Sequence, residues 1–246
     1  MNAIEVNDLH IEYRTLKPVS IRHSFFSFIK PQVNVYEALR GLSFNVKRGE
    51  ILGVIGSNGS GKSTLLRAIA GIFSPNSGTI NTFDNNVSLL SLGVGFQNKL
   101  SGRDNIILSG LLLGFTKKEI KVKMDEIIEF SELEEFIDMP VKTYSSGMYS
   151  KLAFSITAIL NSDIILVDEV LSVGDAKFKK KSYNKMKELI TDATKTVILV
   201  SHSMDMIKQL CNRVIWLNKG KIQLEGAPSA VISAYENYDE KGKSIR

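Results

Sequence analysis

The chain has 246 residues, 43% of them hydrophobic and 23% charged, a globular balance in which the core needs no disulfide staples. Its one cysteine, Cys211, excludes an intramolecular disulfide, and 31 basic against 26 acidic residues leave a net charge of +5 that favours anionic partners (nucleotide, lipid headgroups or nucleic acid) without separating them. The most apolar segment, 106–115, is broken by Ser109, Gly110 and Gly114 and is shorter than the roughly 20 residues that span a bilayer, so any membrane role is expected to use a partner subunit.

Residues 1–12 alternate polar and apolar side chains and do not form a leader-like apolar stretch; the alternation predicts a strand over 4–13. Two more strands are predicted over 42–46 and 51–55, on either side of the turn 47–50. The next eight residues are Gly56-Ser57-Asn58-Gly59-Ser60-Gly61-Lys62-Ser63, which fit G-x-x-x-x-G-K-[ST]. A helix is predicted over 62–70, ended by Gly71. Strand, glycine loop and helix are the order a phosphate loop requires. The glycines let the backbone approach the phosphates, and its N–H groups form an anion nest at the helix start. Lys62 supplies a cation for the β and γ phosphates and Ser63 a hydroxyl for Mg²⁺. The plain alternative is a glycine-rich turn before an ordinary helix.

Residues 87–160 are rich in helix formers, with apolar positions Ile120, Met124, Ile127 and Ile128 in 117–130 and a similar run in 151–160. They predict a helical lobe inserted between strands. Gln97 lies at its junction with the core, where it can ligate Mg²⁺ and report the γ-phosphate to the lobe, or simply be a solvated loop amide. Tyr144-Ser145-Ser146-Gly147-Met148 opens the helix that runs to Leu160. Ser145 and Ser146 are N-cap candidates. The functional alternative is a second anion site at that helix start, although nothing inside the lobe supplies an anion.

The last third alternates strands and helices. Residues 164–167 form a continuous apolar run, as in a strand buried on both faces. Asp168 then falls at the strand's carboxyl end, where it can hold Mg²⁺ through water, and Glu169 can act as general base on the attacking water. A helix is predicted over 176–190; its Lys177, Lys179, Lys180, Lys181, Lys185 and Lys187 make a solvated face or a contact for phospholipid headgroups. A strand over 196–200 leads to His202, which can reach the γ-phosphate or simply be a surface or core-filling histidine. A helix over 204–210, a hairpin of 214–217 and 221–224, a helix over 229–238 and a polar tail 239–246 complete the chain. The pattern predicts an α/β fold with a mixed, mostly parallel core sheet. Residues 1–86 and 162–238 make its core, with an N-terminal antiparallel β part, and 87–161 its helical lobe.

This motif set resembles the nucleotide-binding domain of ATP-binding-cassette (ABC) proteins, of the P-loop NTPase fold, from Ile4 to about Tyr238. Gly56 to Ser63 looks like Walker A and 164–169 like Walker B. Gln97 matches the Q-loop, Ser172-Val173-Gly174-Asp175 the D-loop and His202 the switch histidine. Tyr13 sits where the family keeps an adenine-stacking aromatic residue, with Tyr36 as its rival. The resemblance implies a homodimer with two ATPs at its interface. Each ATP is held by one copy's Gly56 to Thr64 and by the other copy's Ser145, Ser146 and Gly147, with Asp175 at the D-loop. Glu169, His202 and Gln97 are the implied catalytic set, and Ser63, Gln97 and Asp168 the Mg²⁺ set.

The family signature is usually Leu-Ser-Gly-Gly-Gln. Tyr144-Ser145-Ser146-Gly147-Met148 departs from it at three of five positions, and resembles the signature of subunits that export bacterial cell-surface polysaccharides. Gly93-Val94-Gly95-Phe96, Leu100 to Ile106 and Asp168 to Asp175 agree. An O-antigen exporter is the favoured member, with teichoic acid and capsule exporters near by. A soluble ABC ATPase that moves no solute is the rival from another class. The implied setting is the cytoplasmic face of the bacterial inner membrane. The implied partners are a second copy, an integral-membrane permease and a lipid-linked glycan; no nucleic acid is expected. The chain stops at Arg246, so no C-terminal carbohydrate-binding domain is expected. The long insert from Thr15 to Tyr36 carries Arg22, His23, Phe25, Phe26, Phe28 and Lys30, which suit a membrane interface or lipid-linked glycan, or a packed loop.

Overall fold

A computed structural model describes residues 1–16, 33–90, 95–168 and 174–243. Residues 17–32, which hold most of the long insert, lie outside the described residues.

The chain begins with β1 (Asn2–Leu16) and β2 (Val33–Lys47), an antiparallel pair longer at both ends than the sequence pattern predicts. Register shifts around Val6–Leu9, with Asp8 at φ 46°, mark a bulge within β1. After β3 (Ile51–Ile55) and α1 (Lys62–Ile69), β4 (Ser77–Asn81) joins the other edge of β1, giving a three-stranded antiparallel sheet. Next comes β5 (Val87–Leu90), a strand of the core sheet. The helical region expected from Val87 therefore begins later, at α2 (Gly102–Leu112), followed by α3 (Lys117–Ser131) and α4 (Ser146–Leu160).

The remaining elements are β6 (Ile164–Val167), α5 (Ala176–Thr191), β7 (Thr196–Val200), α6 (Met204–Leu210), β8 (Arg213–Asn218), β9 (Lys221–Gly226) and α7 (Pro228–Lys243). α7 carries helix into residues read from the sequence as a polar tail. The core sheet has the order β5-β6-β7-β3-β8-β9, parallel except for the β8–β9 hairpin at its edge. Among the described residues no helix is long and apolar enough to cross a membrane.

The central strands are buried on both faces, which is why they read as unbroken apolar runs. Their side chains alternate between two layers. Leu52, Val54, Leu166, Ile198 and Val200 face α1 and the antiparallel sheet, packing with Ile4, Leu39, Leu65 and Leu66. Ile55, Ile165, Val167, Val197 and Leu199 face the other way, toward Phe154, Phe178, Ile207 and Ile232. α4 is buried from Leu152 to Leu160 because it serves two cores. Phe154 and Ala158 join the sheet layer, while Leu152, Ile156 and Ile159 pack with Ile106, Ile120 and Ile127 of α2 and α3.

Candidate nucleotide-binding site

The loop from Gly56 to Gly61 joins a buried strand to a helix. Gly56 has φ 149°, and a Cβ there would overlap the Leu217 carbonyl, so only glycine lets the chain pass over β8. The Ser60 N–H donates to the Ser57 carbonyl at 3.2 Å, and the Gly220 N–H donates to the Ser60 carbonyl at 3.0 Å. Gly220 also accepts from the Arg40 N–H at 2.8 Å, so the β8–β9 turn braces the loop against β2. Gly61 is the N-cap of α1; no side chain caps that end and its first turn holds no acid. The first-turn N–H groups thus keep their positive end for an anion. The Ser60 hydroxyl is buried beneath the loop with no hydrogen-bond partner among the described residues.

Lys62 is 8% exposed. Its ammonium donates to the carbonyls of Gly56 at 2.7 Å and Ser57 at 3.0 Å, which holds the charge against the loop backbone.

A cleft of about 220 Å³ lies over this loop. Asn58, Gly59, Gly61, Lys62, Ser63 and Thr64 line it, with Tyr13, Tyr36, Asp168 and His202. Sheet order accounts for the assembly. β6, β7 and β3 are parallel neighbours, so Asp168, His202 and the glycine loop all follow the same carboxyl ends. Tyr13 and Tyr36 come from the antiparallel sheet. The Tyr13 and Thr64 hydroxyls are 3.1 Å apart, and the Tyr13 ring meets Phe73 edge-on at 5.8 Å. Tyr36 is 53% exposed, and its hydroxyl donates to the Gly59 carbonyl at 3.4 Å.

The Ser63 hydroxyl and the Asp168 carboxylate are hard oxygen donors in one cleft, which fits Mg²⁺ shared with phosphates. Among the described residues no group of three or more His, Cys, Asp or Glu could hold a metal by itself.

Other candidates lie elsewhere. Gln97 is exposed and does not line the cleft. Its N–H donates to Asn105 Oδ1 at 2.7 Å, and Asn105 Nδ2 donates to the carbonyls of Gln97, Leu100 and Ser101. Asn105 is fully buried and knits this segment to the start of α2. Glu169, Ser172 and Val173 lie outside the described residues. Ser145 and Ser146 are exposed at the start of α4, away from the cleft lining, as is half-buried Gly147. Ser145 is the N-cap and its hydroxyl accepts from the Met148 N–H at 3.2 Å; no acid occupies the first turn. Asp175 is the N-cap of α5, accepting from the Phe178 N–H at 2.9 Å. The Lys151 ammonium at 2.7 Å, together with that N–H, pulls the Asp175 carboxyl down to about 2.

Lys177 and Lys181 of the basic helix each lie 3.6 Å from Glu132, and Lys185 is paired with Glu188 at 2.9 Å. Part of that positive face is therefore neutralised within the protein. Sequence reasoning missed the supports: Asn105, Phe73, and Glu132 with Lys151. A buried asparagine inside an apolar helix segment was the one available signal.

A phosphate loop between a buried parallel strand and a helix, faced by side chains from the neighbouring strand ends, defines a P-loop nucleotide-binding domain. Residues 39–172 match the family model described as ABC transporter. The chain belongs to that family. Over 208 residues it is 53% identical to the Teichoic acids export ATP-binding protein TagH of Lactococcus lactis subsp. lactis (strain IL1403), covering 85% of this chain and 44% of that protein. Over 224 residues it is 43% identical to the O-antigen export system ATP-binding protein RfbB of Myxococcus xanthus, covering 91% and 51%. The chain thus spans about half the length of these curated relatives. Its fold is similar to the dimeric post-hydrolysis structure of the ATP-binding cassette MJ0796 bound to ADP and Pi, with a TM-score of 0.66 and 21% identity over 92% of this chain and 98% of that one.

Proposed function

We propose that this chain hydrolyses ATP to drive export of a lipid-linked cell-surface polysaccharide through a separate integral-membrane permease. The observation that carries the reading is one cleft holding Lys62, Ser63, Asp168 and His202 at the open end of α1, with two tyrosines at its side. Triphosphate oxygens fit the uncapped first-turn N–H groups and the Lys62 ammonium. Ser63 and Asp168 would hold Mg²⁺, which when bound neutralises charge on the phosphate oxygens. Glu169 takes a proton from water as its oxygen attacks the γ-phosphorus. The bond from that phosphorus to the bridging oxygen breaks, and ADP leaves with the electron pair. His202 contacts the γ-phosphate, and Tyr13 stacks on the adenine.

Two copies share each ATP in this reading. The Ser145-capped start of α4 is exposed and free of acid, which suits it to complete a γ-phosphate site on a second copy, with Ser146 and Gly147. The dimeric state of MJ0796 supports such a pairing. Gln97 and Asp175 would link the site to the helical layer and to the partner.

The relatives are named for teichoic acids export and for O-antigen export. Both names support a polysaccharide exporter; the place proposed for it is the cytoplasmic face of the inner membrane, against its permease. The signature segment suits that class as a whole; O-antigen is the favoured glycan from the resemblance, with teichoic acid as the alternative. Two measurements test the reading. Glu169→Gln should bind ATP without turnover and run as a dimer with ATP and Mg²⁺; a monomer under those conditions would overturn the shared site. The intact protein should restore surface glycan to a strain lacking its own exporter ATPase when co-expressed with its permease. Failure to restore either O-antigen or teichoic acid would overturn the export role.

A further inference from the structure

We propose that Lys151 is a positioning residue, which locks the end of the segment following Asp168 to the helix whose first turn Ser145 caps. The inference rests on the shared-ATP reading above and adds to it a coupling within one copy.

Lys151 stands one and a half turns into α4 with its side chain only 13% exposed. Its ammonium reaches Asp175 Oδ2 at 2.7 Å and Glu132 Oε2 at 3.1 Å, and lies 5.1 Å from the Phe178 ring centre. Its stem does a second job. A Cβ on Gly174 would come within 3.0 Å of Lys151 Cε and 3.1 Å of Cγ, and Gly174 has φ 69°. The chain entering α5 is therefore moulded over the lysine stem, while the carboxylate that caps α5 is held by the lysine head. Glu132, the C-cap of α3, accepts a second hydrogen bond from the ammonium, and its own charge is shared with Lys177 and Lys181. α3, α4 and the start of α5 are thus pinned at one cation.

Functionally, two parts of the proposed site meet here. α4 presents Ser145 to a partner's ATP. Asp175 closes the stretch that starts at Asp168 in the copy's own cleft. With Lys151 in place, the two surfaces keep a fixed spacing. Without it, nucleotide still binds the cleft, but hydrolysis loses its geometry.

The experiment compares Lys151→Met, Lys151→Arg, Asp175→Asn and the double variant Lys151→Met/Asp175→Asn, with steady-state ATPase kinetics and a thermal melt for each. Lys151→Met keeps the stem and removes the charge. It and Asp175→Asn should each lower kcat about tenfold, the scale of a small misplacement of reacting groups. KM for ATP should stay within about twofold, since cleft contacts are untouched. The double variant should be no slower than either single one, because both remove the same contact. Lys151→Arg should recover most of the rate. Unchanged kcat in Lys151→Met, multiplied losses in the double variant, or a rate loss that only tracks the melting temperature would overturn the proposal. ATP-driven dimerisation of Glu169→Gln alone tests the shared site independently, so the two ideas fail separately.

Discussion

Tyr13 and Tyr36 are register partners across β1 and β2, and both reach the phosphate loop: Tyr13 meets Thr64 at 3.1 Å and Tyr36 meets the Gly59 carbonyl at 3.4 Å. Cross-strand partners share a face of the sheet, so one antiparallel pair delivers two aromatic rings to one cleft. They differ in restraint. Tyr13 is held at its hydroxyl and against Phe73, whereas Tyr36 is half exposed.

A restrained ring loses less freedom when a base stacks on it. Tyr13→Ala should therefore weaken ATP binding about tenfold, within the ~1–3 kcal/mol of base–aromatic stacking. Tyr36→Ala should cost less than about threefold on the same reasoning. Equilibrium titration with a fluorescent ATP analogue checks the order; the reverse order would assign the stacking role to Tyr36.

Lys62 is a binding group that also braces its own loop. Lys62→Met removes two charge-assisted hydrogen bonds to the Gly56 and Ser57 carbonyls as well as the cation for the phosphates. On the nucleotide, the ammonium's charge-assisted hydrogen bonds to the β and γ phosphate oxygens are each worth about 1.5–3 kcal/mol. ATP affinity should fall at least about a hundredfold. Isothermal titration of both proteins measures this, and a fall of less than about tenfold would contradict it.

Gly56→Ala should destabilise the fold itself. The new methyl would meet the Leu217 carbonyl at a φ that L-residues avoid. Overpacking plus backbone strain costs about 2–5 kcal/mol, and denaturant unfolding with unchanged slope is the expected result. A wild-type midpoint would mean that β8 yields more readily than its packing implies.

Cys211 supplies an alkaline marker. Burial pushes its thiol up to about 12 from an ordinary value near 9. The neutral thiol is present in folded and unfolded chains below pH 9, so Cys211 leaves stability unchanged there. From about pH 9 toward 12 the unfolded chain alone releases the proton, and stability should fall with rising pH over that window. Cys211→Ala should remove this part of the slope. At neutral pH a thiol reagent should label the native protein slowly and the denatured protein at once; rapid native labelling would contradict the burial.

The core strands were legible because double burial writes continuous apolar runs. β5 was not. Val87-Ser88-Leu89-Leu90 is four residues long with a serine inside, and it becomes a strand only through its pairing with β6. The phosphate loop was legible because its chemistry is contiguous. Asp168 and His202 follow predicted strands, so parallel topology brings them to the same edge. The ties that hold these parts were hidden. Glu132, Lys151 and Asp175 are far apart in sequence, and their charges resemble any solvated surface until α3, α4 and α5 are packed. Three of the six lysines on the basic face of α5 are paired, Lys185 with Glu188 of α5 itself and Lys177 and Lys181 with Glu132, and only the pairings to Glu132 were hidden until the elements packed.

Asn105 has a mechanical consequence. Four hydrogen bonds from one buried amide splice the backbone around Gln97 into the first turn of α2. If the helical layer tilts against the sheet, Gln97 must ride with the helices as the tip of a lever, and its distance from Asp168 becomes the gauge of that tilt.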